Sequence, residues 1–378
     1  MARVRMIQDP TTGKEWGTRC DRGTVEVTSG SPGKLKSQLK DFPSPDEALK
    51  WAIKQEWSRL KKGFVLVNPA AAAGEPCMHR YIGGGYTGAL MIAGCNGKLA
   101  TNQHQDEDTH GAATDMLLLI GEDTEIIHGW RSSKTDLAWS ALPTDDRTGF
   151  LIRFDSGIYL WTSDGSPPQR ISDATVLSSP FLTSSNGHAA WHDGEQVTVM
   201  RLDDGRHIMQ LVRSPAMVGG HSEQMMGTLS ADATMLACCA NPGEIEYIDV
   251  AQAKTVRRHQ GDFEMITKMA WSADGCWLLA LEQYGRWRLL CLDTATGESR
   301  HGWPEFTDMT RTDFALDSNS RRLAVIHRGH IVLYDFADMR EIQRFPVDHL
   351  VHTAHIAWTG ENNISVRTDY GCLSTYVV

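Results

Sequence analysis

The sequence predicts a mainly β protein, in which a small α+β N-terminal domain precedes a seven-bladed β-propeller. Three observations lead to this fold class. An apolar anchor recurs at intervals of 42 to 47 residues, each repeat holds short strand-like runs separated by turn residues, and the balance of charge changes sign near residue 70. Repeats of about 40–50 residues with four short strands each are typical of propeller blades.

Composition excludes several classes of protein. The chain has 378 residues, of which 41% are hydrophobic and 22% charged, as expected of a soluble protein with a core. No apolar run approaches the roughly 20 residues that a membrane helix needs, and the first ten residues do not resemble a signal peptide. The eight cysteines form no Cys-x-x-Cys pair, which predicts reduced thiols and a cytoplasmic location.

The charge distribution predicts two domains. Residues 1–66 carry 13 basic and 8 acidic side chains, whereas the remainder carries 24 and 39. A Pro-Ala-Ala-Ala-Ala-Gly run at 69–74 lies near this change and has the composition of a linker. We therefore expect an N-terminal domain over 1–68, a linker over 69–76 and a propeller over 77–378.

The N-terminal domain is predicted to be a small sheet covered by one helix. Strand-like runs at 14–19 and 23–28 are joined by a short turn, and a further strand follows at 64–67. Ser44-Pro-Asp-Glu47 has the pattern of a capping box with proline at the first helical position, and Gly63 is a helix stop. The expected apolar stripe of this helix is Leu49, Ile53, Trp57 and Leu60.

These residues resemble the WGR domain family. The resemblance rests on Lys14-Glu-Trp16, Val25-Glu-Val27, the two glycines Gly30 and Gly33, the run from Asp41 to Ala48, and Lys61-Lys62-Gly63-Phe64. It implies a module that contacts DNA or supports an attached enzyme. Ser29 and Ser31 occupy the tryptophan and arginine positions of the tripeptide that names the family, so nucleic-acid binding does not follow from the resemblance alone.

Seven lysines form the candidate binding site of this domain. They would contact phosphates or a partner protein, although a solvated helix face explains the same pattern and is favoured by composition alone. The residues are Lys34, Lys36, Lys40, Lys50, Lys54, Lys61 and Lys62.

The repeat array begins near residue 76. Its anchors place Trp139, Leu182, Leu229, Trp271, Leu316 and Trp358 at equivalent positions, with a degenerate copy near residue 91. The third strand of several repeats ends in aspartate, as at Asp249, Asp293 and Asp335. The array resembles WD40-like propellers, and we expect 77–82 to supply the outer strand of the last blade, which closes the ring and removes an exposed edge.

No motif predicts a metal ion, a cofactor or a catalytic group. His349, His352 and His355 are spaced by three residues, but on a loop and a strand rather than a helix, where they would not converge. The acidic segment 106–108 and the glycine-rich segment 81–88 match neither a calcium loop nor a P-loop. We therefore expect no catalytic or metal site.

The predicted function is that of a non-catalytic scaffold or adaptor for protein–protein interaction, with the propeller as the docking platform and the WGR-like module as a second contact. The alternative is a DNA- or RNA-binding protein that uses the basic module. An enzyme with a site in the propeller channel is the third and least favoured class. The partner and the oligomeric state do not follow from the sequence.

Overall fold

The computed structural model describes residues 3–83, 91–107, 112–121, 125–131, 137–144, 148–164, 166–174, 181–214, 216–218, 222–283, 285–307 and 312–378. Within these ranges the chain forms one helix and 34 strands, which confirms the prediction of a mainly β protein. That helix is not long and apolar enough to span a membrane.

The N-terminal region is a strand meander followed by the helix. Two of its strands, the first and the fourth, were not expected from the sequence. The elements are β1 (Arg3–Gln8), β2 (Glu15–Asp21), β3 (Thr24–Ser31), β4 (Lys34–Asp41), α1 (Pro45–Leu60), β5 (Val65–Val67) and β6 (Pro76–Tyr81). β1 to β4 pair in chain order and β5 lies on the other side of β1.

The turn between β2 and β3 shows why the meander is tight. Asp21 pairs with Thr24, which leaves only Arg22 and Gly23 in the loop, and both have positive φ, at 46° and 92°. Positive φ at both central residues is the type I′ geometry, whose twist matches that of the flanking strands. Glycine adopts it without steric cost, whereas Arg22 adopts it at a small cost.

The helix begins as predicted but buries a different face. Ser44 caps it, because its hydroxyl accepts a hydrogen bond from the Glu47 amide at 3.2 Å. The buried positions are Ala48, Ala52, Glu56 and Leu60, while Leu49, which was expected in the apolar stripe, is exposed. The reason is that two alanines let the helix approach Val25 of β3 closely, and the wider side chains then lie at the border.

Six sheets of three or four strands follow in chain order, each built from consecutive strands. The first three are β7 (Ile92–Cys95), β8 (Lys98–Glu107), β9 (Ala112–Ile120) and β10 (Ile126–Arg131); β11 (Ala138–Pro143), β12 (Gly149–Phe154), β13 (Gly157–Thr162) and β14 (Gln169–Ser172); and β15 (Leu182–Ser185), β16 (His188–His192), β17 (Gln196–Arg201) and β18 (His207–Val212). A two-stranded sheet, β19 (Ala216–Val218) with β20 (Ser222–Gln224), comes next.

The other three sheets include one with a missing outer strand. They are β21 (Met226–Leu229), β22 (Met235–Asn241), β23 (Glu244–Asp249) and β24 (Lys254–Gln260); β25 (Ile266–Trp271), β26 (Trp277–Glu282) and β27 (Leu289–Asp293); and β28 (Phe314–Leu316), β29 (Arg322–His327), β30 (His330–Asp335) and β31 (Glu341–Pro346). In the three-stranded sheet, a single bridge between Leu292 and Ser299 stands where an outer strand would pair.

The last strands belong to a nine-stranded sheet, so six sheets stand as blades of their own where a seven-bladed propeller was expected. β32 (Ala354–Trp358), β33 (Asn363–Thr368) and β34 (Cys372–Val377) pair in order, β6 pairs with β34, and β5 to β4 continue the same sheet. The segment 69–76, expected to be a linker, connects β5 to β6, which pair as a hairpin, and Pro76 already lies in β6. The N-terminal region is therefore hydrogen-bonded to the array.

The first strands of the successive groups surround a channel. β7, β11, β15, β21, β25, β28 and β32 all contribute to its lining, and the cavity has a volume of 1610 Å³. β32 contacts β7, so the end of the array meets its beginning. Neighbouring sheets share apolar cores: one such core joins Val197 and Met209 to Leu236 and Ile248. Strands in the middle of each sheet are apolar on both faces because each sheet packs on two neighbours.

The recurring aspartates terminate strands. Asp293 accepts hydrogen bonds from the amides of Ala295 and Thr296, both at 2.8 Å, and Asp249 accepts one from Gln252 at 2.8 Å. A short carboxylate side chain satisfies the amides of the turn that follows, as expected of aspartate in tight turns. This explains the aspartate that ends the third strand without any catalytic role.

Candidate functional site

The predicted lysines fall into two groups. Lys34, Lys36 and Lys40 lie on β4 and alternate with Leu35 and Leu39, and all five are exposed. Because alternate residues of a strand point to opposite faces, the three lysines share one face and the two leucines the other. The lysine face is the one that carries Val25, since Lys40 is the cross-strand partner of Val25.

The helical lysines point elsewhere. Lys50 and Lys54 are exposed and stand two residues from the buried Ala52, so they lie on the outer face of the helix. Lys61 and Lys62 follow the helix and are also exposed. The seven lysines therefore cover the end of the sheet and the back of the helix rather than one flat patch.

Two lysines rest on aromatic rings. The Nζ of Lys40 is 4.5 Å from the ring centroid of Trp51, and the Nζ of Lys61 is 3.5 Å from that of Trp57. Trp57 in turn stacks on Tyr370, with centroids 4.0 Å apart and planes 18° from parallel. Contacts of an ammonium with an aromatic face are worth about 0.5–1 kcal/mol at exposed sites. Lys61 is thus linked through Trp57 to the turn before β34.

A buried charge cluster joins the N-terminal region to the array. It comprises side chains of β1, α1, β6 and the segment after β31, and the sequence did not predict it. Its members are Arg3, Arg5, Glu56, His79, Asp348 and His349.

Hydrogen bonds connect the members of this cluster directly. Glu56 accepts from Arg3 at 2.9 Å through one oxygen and from His349 Nε2 at 3.0 Å through the other. Asp348 Oδ2 lies 3.2 Å from His79 Nε2 and 3.4 Å from Arg5. The side chains of Glu56, His79 and His349 have no exposed surface. One connected set of ion pairs and hydrogen bonds therefore lies at the boundary between the N-terminal region and the array, which we call the seam.

The electrostatics of the buried charge cluster balance. Burial alone raises the pKa of the Glu56 carboxyl, but the hydrogen bond from His349 and the charge of Arg3 lower it to about 2. The pKa of Asp348 is likewise lowered, against its burial, mainly by His79 and Arg3. Burial lowers the pKa of His79. At neutral pH two carboxylates then face two guanidinium groups, with His79 neutral between them.

The donor atoms of Glu56, His79 and His349 lie within 4.8 Å of one another, and histidine and carboxylate are zinc ligands. A divalent ion would, however, add two positive charges to carboxylates that Arg3 and Arg5 already neutralise. Uncompensated charge is costly at a buried site. The arrangement fits a set of ion pairs that holds the N-terminal region against the array better than it fits a metal centre.

The three histidines of the sequence motif separate in the structure. His349 is buried against Glu56, His352 is exposed, and His355 lines the channel. One sequence feature could have indicated the buried charge cluster. Glu56 continues the helical spacing of Ala48 and Ala52, so its carboxylate lies on the buried face of the helix.

A second set of charged groups lies on the channel wall. Lys268 Nζ is 2.7 Å from Asp313 Oδ1, and His355 Nδ1 is 3.6 Å from Asp313 Oδ2. The same carboxylate accepts the amides of Phe314 at 2.8 Å and Ile356 at 3.0 Å. Both oxygens of Asp313 are therefore engaged by groups from three consecutive sheets, and the carboxylate ties those sheets together.

Two other sequence candidates fall largely outside the described residues. Side chains of 104–107 and the whole of 108–111 are not described, nor are residues 84–90 of the glycine-rich segment.

No protein-family model matches the sequence. No curated protein is similar enough to count as a relative.

Solved structures resemble the chain in fold. One is a chain in the "Crystal Structure of Mitotic Checkpoint Complex", with a TM-score of 0.62 and 10% identity over 82% of this chain and 97% of that one. Another is the β-propeller domain of Myceliophteria thermophila Cps50 (Swd1), with a TM-score of 0.56 and 11% identity over 79% and 99%. At such identities the likeness concerns the fold alone, and it confirms a β-propeller.

Proposed function

We propose that the protein is a scaffold for protein–protein interaction that holds two surfaces in a fixed relation. The propeller is one surface, and the exposed sheet end and helix of the N-terminal region are the other. The observation that carries this proposal is the seam: β5 and β6 pair by hydrogen bonds, and the buried charge cluster fills the space beside them. A rigid connection presents two partners at a constant distance, which is what a scaffold requires.

The structural neighbours support the proposal of a scaffold function. One of them is part of a checkpoint complex and another is the propeller of Cps50 (Swd1). Propellers expose loops at the channel ends on a rigid framework, and such loops are common binding elements. We extend the first neighbour's presence in a complex to this chain as part of the proposal.

The finer assignments belong to the same proposal. We count β32, β33, β34 and β6 as a seventh blade shared with the N-terminal sheet, and we retain the WGR-like interpretation of residues 1–68 as a prediction. A cytoplasmic location accords with cysteines that form no disulfide bond among the described residues. A non-catalytic role accords with the engagement of both Asp313 oxygens on the channel wall.

The test is cross-linking of the intact tagged chain at native expression level, followed by mass spectrometry and size-exclusion chromatography. We expect stable co-elution with one or more proteins and cross-links from both the N-terminal lysines and the propeller. Elution as a free chain with no reproducible cross-links would contradict the proposal.

The seven exposed lysines also favour a second candidate, binding to DNA or RNA. Neutralising phosphates releases counterions, so the logarithm of the affinity for duplex DNA would fall with the logarithm of salt concentration, with a slope of about −0.9 per phosphate contacted. A titration of the intact chain with a short duplex at two salt concentrations tests this. Binding without salt dependence, or no binding at low salt, removes this candidate.

A further inference from the structure

β4 forms the free edge of the nine-stranded sheet. It spans eight residues, all of them exposed, and pairs only with β3 among the described strands. Long exposed edges are uncommon because their unpaired amides and carbonyls invite another strand. The edge is open along its side, and on its lysine face Lys40 contacts Trp51 of the helix.

The register identifies which backbone groups are available. Ser31 and Lys34 close the β3–β4 hairpin, and in an antiparallel pair the bonded positions alternate. The Phe42 amide donates to the Gly23 carbonyl at 2.9 Å, which continues the same alternation. Lys34, Lys36, Gln38 and Lys40 therefore bond to β3, and the amides and carbonyls of Leu35, Ser37, Leu39 and Asp41 face outward.

The two faces of this edge differ in chemistry. Lys34, Lys36 and Lys40 stand on one face, and Leu35 and Leu39 stand on the other, with exposures of 42% and 67% for the leucines. In a strand added beside β4, every second residue would lie next to the lysines, and the residues between them would lie next to the leucines. Cross-strand pairs of opposite charge and of apolar side chains each contribute about 0.2–1 kcal/mol.

A second copy of this chain would be a poor occupant. Pairing β4 with β4 would bring lysines opposite or diagonal to lysines, and like charges directly opposite are destabilising. The lysines therefore disfavour self-association and favour an acidic partner.

We propose that β4 binds an extended segment of a partner protein in which acidic residues alternate with apolar residues, added to the sheet edge as a further strand. Backbone hydrogen bonds to Leu35, Ser37 and Leu39 supply affinity, and the alternation supplies specificity. The inference rests on the scaffold function proposed above, because it names the kind of partner that the N-terminal surface takes.

The probe is a fluorescent nine-residue peptide in which glutamate alternates with valine, titrated into the intact protein by anisotropy. Its matched control has the same composition with the glutamates and valines in separate blocks. We expect the alternating peptide to bind about tenfold more tightly than the control peptide, because only the alternating sequence places all its charges on one face of the strand.

Two variants of one position isolate the backbone contact. Ser37→Pro removes an outward amide that has no partner in β3, whereas Ser37→Ala keeps the amide and loses only the side chain. We expect Ser37→Pro to weaken binding about tenfold and Ser37→Ala to weaken it less than twofold. Circular dichroism and thermal unfolding show whether each variant stays folded, and Leu39→Ser, which keeps every backbone group, tests the apolar face if Ser37→Pro is unstable.

A charge exchange tests specificity. The triple variant Lys34→Glu, Lys36→Glu, Lys40→Glu is expected to lose the glutamate–valine peptide and to bind a lysine–valine peptide instead. Equal binding of alternating and blocked peptides, or full binding by Ser37→Pro, would show polyanion attraction only and would overturn the proposal.

Displacement of the peptide by short duplex DNA, with Ser37→Pro binding the DNA as well as the parent protein does, would point to nucleic acid and would also overturn it. These outcomes leave the scaffold function standing, since that is judged by co-elution and cross-linking of the intact chain with its partner proteins.

Discussion

The seam between the N-terminal region and the propeller differs in kind from the junctions between neighbouring blades. A blade junction such as that around Leu236 is built from apolar side chains with almost no exposed surface. The seam has an apolar part, with Trp16 and Leu66 packed near Cys372, but its middle is the buried charge cluster. Apolar burial depends on volume and is insensitive to pH, whereas buried ion pairs depend on geometry and on protonation.

The two regions are held by forces that fail under different conditions. Neighbouring blades share apolar cores around the ring, so damage at one junction is expected to lower the stability of the ring as a whole. The N-terminal region depends on a few polar groups, so it can loosen while the ring persists.

The largest effect is expected from Glu56→Ala. It leaves Arg3 and His349 buried without their partner, and removing one member of a buried pair costs about 3–5 kcal/mol. Hydrogen exchange should show faster opening of β1 to β4 with little change in β22. Glu47→Ala, on the exposed first turn of the same helix, is the control and should change opening by less than about 1 kcal/mol. Uniform acceleration throughout the chain would refute a distinct seam.

A blade junction is tested by Leu236→Ala. The side chain is fully buried, and its removal is expected to cost about 3 kcal/mol through lost burial and a residual cavity. Thermal unfolding should shift for the whole propeller and should be equally affected at pH 7 and pH 5.5. The exposed Val256 provides the control, since Val256→Ala should stay within about 0.5 kcal/mol.

Acidification should loosen the seam before the blades. The pKa of His79 lies below its ordinary value of 6.5, so the unfolded state binds more protons and stability falls as pH drops below 6.5. Glu56 and Asp348 have pKa values below 4.5 and 3.8, so their contribution is present above those values and is lost as pH falls further. Each group adds a slope of at most about 1.4 kcal/mol per pH unit.

Hydrogen exchange at pH 7.0, 5.5 and 4.5, corrected for intrinsic rates, measures this. β1 to β4 should lose protection progressively while β22 keeps it. Protection of the N-terminal strands that does not change across this range would contradict the assigned protonation states.

The smallest effect concerns two adjacent lysines. Lys61 lies over the Trp57 ring at 3.5 Å, so Lys61→Ala should destabilise the region by about 0.5–1 kcal/mol. The neighbouring Lys62→Ala is the control, and it should have an effect near zero. Chemical denaturation followed by tryptophan fluorescence compares them, and equal effects would mean that the ring contact contributes nothing.

Much of the fold could be predicted from local patterns. The capping serine, the positions of the innermost strands and the terminal aspartates are encoded within a few residues, so Ser44 and Asp293 act as their sequence context suggests. Strands β1 and β4 were missed because β4 alternates lysine with leucine and has neither buried face nor β-branched residues. Its pairing comes from the tight hairpin with β3, not from its own propensity.

The candidate sites were less accessible to prediction. The lysines were found, but their division between a sheet face and a helix face requires knowing that 34–41 is a strand. The buried charge cluster was not predicted because Glu56 and His349 are separated by 293 residues. A carboxylate on a helix is expected to face solvent unless the surface that packs against it is known.

The repeat, the pattern of four strands in each blade and the capped helix follow from the amino-acid sequence, because each depends on periodic burial and on turns formed by neighbouring residues. Only the tertiary structure decided that the last blade and the N-terminal strands form one sheet and that charged side chains lock them together. Such pairing depends on buried groups that are far apart in the chain, and no local pattern records their proximity.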